Sequence, residues 1–229
     1  MSRDERIYQD RADMYETLIS HQPSLANVIH EIRPYRDQDV ADLGAGTGRL
    51  TLALADAAKS VVSLDSSPVM LQQLEKRLQD QMHANCRTAV ADHRQLPLEA
   101  ACVDLVVAGW SLCYLASNNH ADWQANLQQM LAEIDRILRP GGTAIIFETL
   151  GTGYEEPVRY DFLQPYFHEL EHKYGFQHES IRMDYKFRDA KEAESLTRYF
   201  FGAELADKVA AQQWGVVPEF AGVWYKHKK

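Results

Sequence analysis

The sequence predicts an α/β protein in which a parallel sheet is covered by helices on both faces. Short apolar runs alternate five times with helical stretches between residues 39 and 150. Each run has the length and composition of a buried strand, and alternation of this kind reads as successive βαβ units. The first run also passes into a glycine turn, DVADLGAGTG, that hands the chain to a helix.

The elements follow in order. Residues 4–20 carry Ile7, Met14, Leu18 and Ile19 at helical spacing, and Pro23 opens a second helix to about Ile32. DVADLG (39–44) is the first strand, GRLTLALADAA (48–58) a helix, and SVVSLD (60–65) the second strand. PVMLQQLEKRLQDQM (68–82) is a long helix that Ser66 or Ser67 can cap beside Pro68. CRTAVAD (86–92) and ACVDLVVAG (101–109) are the third and fourth strands. A helix over about 121–138 stops at LRPGG, where Pro140, Gly141 and Gly142 form a turn before the fifth strand, TAIIFETL (143–150). After Gly153, a helix over about 159–173 leads through Gly175 into FQHESIRMDYKF (176–187), whose alternation suits an edge strand. Residues 189–213 are helical with a break at Gly202, and EFAGVWYKHK (219–228) is a final strand.

The 229 residues are 45% hydrophobic, which suits one domain with a full core. The expected division is 1–35 for N-terminal helices, 36–150 for a ligand-binding core, 151–213 for a short cap with the sixth strand, and 214–229 for the final strand. Lys and Arg number 24 against 33 Asp and Glu, a formal charge of −9, so a phosphate backbone is a poor partner and a small molecule a better one. Cys86, Cys102 and Cys113 read as reduced core residues of a cytoplasmic protein. MSRDERIYQD has no apolar h-region and no window reaches a membrane-spanning length, so neither export nor a membrane partner is expected.

The turn D-L-G-A-G-T-G (42–48) separates two nucleotide chemistries by spacing. A dinucleotide fingerprint counted from Gly44 needs its third glycine at residue 49, which is Arg49; here the third glycine is Gly48, one place early. Glycines let the backbone approach a ligand closely, and the following helix would point its free N–H groups there. The alternative is a tight strand–helix turn with no ligand.

With Asp42 before it, D-x-G-x-G-x-G resembles motif I of the class I S-adenosylmethionine-dependent methyltransferases, of the type 11/25 kind. VVSLDSSPVML, AVADHRQLP and LRPGGTAIIFE resemble that family's later motifs, so specific similarity covers roughly residues 40–150. The resemblance implies a Rossmann-like, doubly wound, seven-stranded sheet, mostly parallel, whose antiparallel last strand is inserted beside strand five. It implies S-adenosyl-L-methionine as cofactor and S-adenosyl-L-homocysteine as product. The binding set it implies is Asp42, Gly44, Ala45, Gly46, Thr47 and Gly48 in the turn, with Asp65 holding the ribose hydroxyls beside Ser66 and Met70. Asp92 and His93 would face the adenine, and the backbone at Gly109 and Trp110 would meet the methionine ammonium. Tyr15, with Tyr8, would close over the cofactor from the N-terminal helix. For Asp65 the other reading is a helix cap, for Tyr15 core packing, and for His93 a structural or solvent-facing place.

HELEHKYGFQH (168–178) matches the zinc signature H-E-x-x-H-x-x-G-x-x-H through His168, Glu169, His172, Gly175 and His178. A metzincin peptidase also needs a Met-turn well downstream, and Met183 follows the third His by only five residues. The segment is therefore read as a covering helix ended by a left-handed Gly175, with no metal assigned.

Methyl transfer from a sulfonium is a one-step in-line displacement, so the protein mainly positions and desolvates the nucleophile. A small acceptor methylated on O or N is expected, handled by a monomer or homodimer. Trp110 and Tyr114 would line the acceptor pocket, and Glu148, ending strand five, would orient or deprotonate an acceptor amine. Tyr114 and Glu148 are the catalytic candidates; His120, Tyr154, Asp184 and Tyr185 are weighed against surface or packing roles. A non-catalytic adenosylmethionine-binding module is the alternative, and a nicotinamide-dependent reductase fails at residue 49.

Overall fold

The computed structural model describes residues 12–229. Its helices and strands are α1 Ala12–Ile19, α2 Ala26–Ile32, β1 Asp39–Leu43, α3 Arg49–Ala55, β2 Ser60–Asp65, α4 Pro68–Asp80, β3 Cys86–Val90 and β4 Val103–Gly109. They continue as α5 Cys113–Ala116, α6 Trp123–Ile137, β5 Leu138–Thr152, α7 Gln164–His168, β6 Gln177–Arg182 and β7 Tyr185–Lys186. The chain closes with α8 Ala190–Phe200, α9 Ala203–Gln212, β8 Val216–Val217 and β9 Glu219–His227.

Seven strands make one sheet in the order β3-β2-β1-β4-β5-β9-β6. It is mostly parallel with one antiparallel strand, a Rossmann-like arrangement with helices around it. The placement of the last strand beside β5 is the one expected. β1 is central because it is apolar on both faces, with Val40, Ala41, Asp42 and Leu43 all buried. It runs parallel to β2, with Asp42 opposite Ser63, and parallel to β4, with Asp42 opposite Val107. The chain order therefore reverses at β1, and such a switch point opens a crevice beyond the carboxyl ends of β1 and β4.

Several boundaries differ from expectation. The LRPGG turn is absorbed into β5: Val103 pairs with Leu138 and Leu105 already with Thr143, so Pro140–Gly142 bulges out of the ladder with Gly141 at φ +78°. The helix expected over 159–173 begins at Gln164 and widens into a π-turn over Glu169–Lys173, closed by the bond from the Tyr174 N–H to the Glu169 carbonyl at 2.9 Å. Gly175 follows at φ +72°, the expected left-handed stop. The strand expected over 176–187 is two strands: β6 ends at Arg182, and β7 pairs antiparallel with β8 in a separate two-stranded sheet. The break at Gly202 stands, at φ +95° between α8 and α9.

The contacts divide the chain into two compact units. One comprises Ser24–Glu148, Tyr160–Glu179 and Gly222–Lys229, and holds β1–β4 and the glycine turn. Its cluster of Ala45, Leu71, Leu74 and Leu78, with Leu52 and Cys86 against it, packs α4 under that turn. The other comprises the segment ending at Pro23, Thr149–Arg159 and Ser180–Ala221. Its core is Leu18, Tyr185, Phe187, Ala193, Leu196, Val209 and Val217. Among the described residues no helix is long and apolar enough to cross a membrane.

Candidate cofactor site

The glycine turn takes its shape from three left-handed residues, Gly44 at φ +72°, Gly46 at +54° and Gly48 at +99°. A side chain would be strained at each, and space forbids two of them outright. A Cβ at Gly44 would lie 2.2 Å from the Ser111 Cβ, and one at Gly48 2.4 Å from Leu74 Cδ1. The turn's amides are largely committed within the protein. Gly44 and Ala45 donate to the Leu64 carbonyl at 2.7 and 3.0 Å, Gly48 donates to the Ala45 carbonyl at 2.8 Å, and Gly46 donates to Asp65 at 2.8 Å. A pyrophosphate needs free donors, and four amides of this turn are already bonded within the protein; the expected donors, the first N–H groups of the following helix, are not among them.

Asp65, at the end of β2, accepts from Gly46 N–H through Oδ2 and from Ser67 N–H through Oδ1, both at 2.8 Å. The residue thus braces the turn and starts α4 at once. Ser67 is the actual cap, accepting from Met70 N–H at 3.4 Å, while Ser66 is exposed. Met70 is buried, and its methyl carbon lies 3.4 Å from where a Gly46 Cβ would be. Ala45 and Thr47 are buried, and the Thr47 carbonyl accepts from Arg77 at 2.8 Å.

Beneath the turn, Asp42 is buried and accepts from Thr51 Oγ1 at 2.7 Å, which in turn meets Ser63 Oγ at 2.7 Å. Its Oδ1 has no partner. Burial is the main reason its carboxyl rises to about 7; the Thr51 hydrogen bonds oppose the rise and the Asp65 charge adds to it.

Asp92 and His93 exchange the places expected of them. Arg94 holds both oxygens of Asp92, Nε at 2.9 Å and Nη2 at 2.6 Å, with its backbone N–H at 2.8 Å as well. The Arg94 hydrogen bonds bring the Asp92 carboxyl down to about 2. Arg94 thus takes one side of the exposed Asp92 carboxylate. His93 is no solvent-facing ring: its Nε2 comes within 3.4 Å of a Gly44 Cβ position, and its Nδ1 is buried without a partner. Burial pulls its pKa down, against the pull of Asp65 and Asp92, which keeps the imidazole neutral at neutral pH.

Past β4, Trp110 adopts a left-handed φ of +51° and donates its N–H to the Phe147 carbonyl at 2.8 Å. Its ring stacks near Phe147 with centroids 6.2 Å apart, and the Arg49 guanidinium lies 4.0 Å over it. Gly109 sits close under Leu50, whose Cδ1 is 3.0 Å from where a Cβ would be, so a side chain there would make Leu50 give way. Ser111 donates to the Leu43 carbonyl at 2.8 Å, tying the end of β4 to the end of β1.

Glu148 departs most from its expected role. It is fully buried, its Oε1 accepting from Cys113 N–H at 3.1 Å and Tyr166 Oη at 3.3 Å while Oε2 has no partner. Burial raises its carboxyl to about 7, against the hydrogen bonds from Cys113 and Tyr166. Its bond to the Cys113 N–H fixes the start of α5, the short helix that carries Tyr114. Tyr114 itself is 42% exposed. That helix escaped sequence reading because four residues give no periodicity.

Other candidates are set by their own neighbours. Tyr15 packs edge-on to Phe200 at 6.4 Å, Tyr185 stacks on Phe187 at 5.9 Å, and Asp184 accepts from Arg182 at 2.9 Å, all within the unit that holds α8 and α9. Tyr154 is 42% exposed, with Lys208 Nζ 5.3 Å from its ring centroid, and His120 is exposed. Tyr8 lies outside the described residues. In the zinc-like segment, the His168 and His172 rings stand 4.4 Å apart, whereas His178 packs tilted against Trp224 at 4.5 Å. Glu169 is engaged by Lys173 at 2.8 Å and Gln124 at 3.0 Å.

A glycine turn braced by an acid at the end of β2 stands at the switch point of this sheet, and residues 41–146 match the family model described as a methyltransferase domain. Over those residues the chain is similar to the class I S-adenosylmethionine-dependent methyltransferases, and S-adenosylmethionine is the cofactor this similarity supports. It is 37% identical over 114 residues to a malonyl-acyl-carrier-protein O-methyltransferase of Pectobacterium atrosepticum, a match covering 50% of this chain and 39% of that protein. It is 27% identical over 130 residues to phosphoethanolamine N-methyltransferase 1 of Caenorhabditis elegans, covering 54% of this chain and 27% of that one. The chain thus spans well under half the length of these curated relatives. A solved S-adenosylmethionine-dependent methyltransferase from Aquifex aeolicus shares the fold, with a TM-score of 0.59 at 14% identity over 94% of this chain and 97% of that one.

Proposed function

We infer that this protein transfers a methyl group from S-adenosylmethionine to an oxygen or nitrogen of a small acceptor. The observation that carries the reading is the turn of three left-handed glycines braced by Asp65, which lets the backbone come close to a ligand while leaving few amides for phosphate. A cradle that a Cβ would fill at Gly44, and the orphaned buried atoms Asp42 Oδ1 and His93 Nδ1 around it, fit an uncharged, polar adenosyl group.

In this reading Asp65 and the turn hold the adenosyl part, and His93, neutral and buried, lies against the same turn. The bound cofactor supplies an activated methyl on a sulfonium, so no covalent enzyme intermediate is needed. The residues after β4, with Trp110 held by Phe147 and Arg49, shape the place where the acceptor meets it. Glu148 acts as a positioning residue, anchoring the backbone of Cys113 and hence the helix bearing Tyr114. Any proton released by an acceptor O–H or N–H leaves to solvent or to a loop residue, since Glu148 is sealed from it. The names of the similar proteins, one an O- and one an N-methyltransferase, support an O or N acceptor without choosing between them.

Calorimetric titration of the metal-stripped protein with S-adenosylhomocysteine tests the reading, with NADH and zinc injected in parallel. Micromolar S-adenosylhomocysteine binding, weakened in Asp65→Ala and untouched in His172→Ala, is expected. Tight zinc uptake lost in His172→Ala, with no S-adenosylhomocysteine bound, would overturn it. Binding without methyl transfer to any member of a broad O and N acceptor panel would favour the non-catalytic alternative.

A further inference from the structure

We propose that Arg49 is the carboxylate-recognition residue of this site, reading a carboxylate on the ligand between the glycine turn and Trp110. The inference rests on the methyltransferase reading and adds to it the chemistry of one end of the ligand.

Arg49 follows the third glycine directly, so the turn's conformation aims it. Its guanidinium lies 4.0 Å over the Trp110 ring. Trp110 is itself held in a left-handed conformation that costs a non-glycine residue about 1 kcal/mol or more. The strain is sustained by the bond from the Trp110 N–H to the Phe147 carbonyl and by stacking on Phe147. Nη2 of Arg49 is buried and makes no hydrogen bond. Four other arginines of this unit are employed: Arg77 on the Thr47 carbonyl, Arg94 on Asp92, Arg136 on Glu133, and Arg139 on Asp39 and Asp104. A guanidinium with a buried, unmatched Nη2 and an aromatic face behind it is suited to receive a carboxylate. The acids nearest the turn do not serve it, because Asp42 is held by Thr51 and Asp65 by the backbone of Gly46 and Ser67.

A carboxylate reaches this place from one of two sources, the methionine end of the cofactor or an acidic acceptor. The test uses Arg49→Met, which keeps the stem's packing and removes the charge, and Arg49→Lys, which keeps the charge and loses the fork. The first arm compares S-adenosylhomocysteine with 5′-methylthioadenosine, which has no carboxylate, by calorimetry. If the cofactor supplies the group, Arg49→Met weakens S-adenosylhomocysteine by about 10- to 100-fold, leaves 5′-methylthioadenosine unchanged, and Arg49→Lys recovers part of the loss. The second arm titrates succinate into the protein saturated with S-adenosylhomocysteine. If the acceptor supplies the group, succinate binds the wild type and not Arg49→Met, while S-adenosylhomocysteine affinity is the same in both. Equal S-adenosylhomocysteine affinities together with no Arg49-dependent succinate binding overturn the proposal and leave the methyltransferase reading standing. No S-adenosylhomocysteine binding by the wild type overturns both. Thermal melting of each variant separates loss of recognition from loss of fold.

Discussion

The carboxylate of Asp65 accepts a 2.8 Å hydrogen bond from the N–H of Gly46, nineteen residues earlier in the chain. One side chain thereby locks the ligand turn after β1 to the end of β2 and, through Ser67, to the start of α4. Function and stability therefore meet in the same atom pair. Asp65→Ala should lower unfolding stability by about 1–3 kcal/mol, the cost of two amides left without their charged acceptor. Denaturant unfolding reads this directly, and a variant as stable as the wild type would show that Asp65 does not brace the turn.

Gly44→Ala should be among the most damaging small substitutions. It places a Cβ 2.2 Å from the Ser111 Cβ and forces alanine to φ +72°. A loss of about 2–4 kcal/mol is expected from overlap and backbone strain together. Adding Ser111→Gly removes the overlap and not the strain, so the double variant should recover only part of the stability in the same unfolding assay.

Glu148 makes stability depend on pH. Its folded carboxyl titrates at about 7 against an ordinary value of 4.5, so the folded protein holds a proton that the unfolded chain has released between those limits. Its contribution is complete below pH 4.5 and is lost as pH rises through 7; buried Asp42, also raised to about 7, has the same sign. Glu148→Gln, which resembles the protonated acid, should match the wild type near pH 5 and exceed it at pH 8 by about 3 kcal/mol. Parallel melting curves at the two pH values check it, and a constant difference would refute the assignment.

Asp92 has the opposite sign. Its carboxyl is held down to about 2, chiefly by Arg94, so this ion pair stabilises the fold above pH 4 and fades as pH falls toward 2. In Arg94→Ala the carboxyl should titrate near 4, as followed by NMR. If Asp92 serves the adenine amino group, the same variant binds S-adenosylhomocysteine at least as tightly as the wild type. Weaker binding would make Arg94 itself the contact.

The sheet was legible because its causes are local. Five apolar runs alternating with helices leave little choice but βαβ units, and D-x-G-x-G-x-G names positions that only glycine tolerates, as the left-handed φ of Gly44, Gly46 and Gly48 bears out. The match of HELEHKYGFQH to a zinc signature shows the limit of spacing alone. A π-turn over Glu169–Lys173 and the packing of His178 against Trp224 depend on partners about fifty residues away, such as the bond from Trp224 Nε1 to Glu171 at 3.0 Å.

By itself, the sequence determined the alternation of strands and helices and the place of the glycine turn, and motif spacing pointed to the class of cofactor, since hydrophobic period, glycine conformation and motif spacing act within a few residues. Tertiary structure decided what each polar side chain is free to do. Glu148, read as a group that orients or deprotonates an acceptor, is buried and bonded to Cys113 and Tyr166; Asp92, read as an acceptor, carries Arg94; and Arg49, noticed only for not being glycine, has a buried donor with nothing to receive it. Burial and hydrogen-bond occupancy arise from elements that meet only on folding, and they set both pKa and reach.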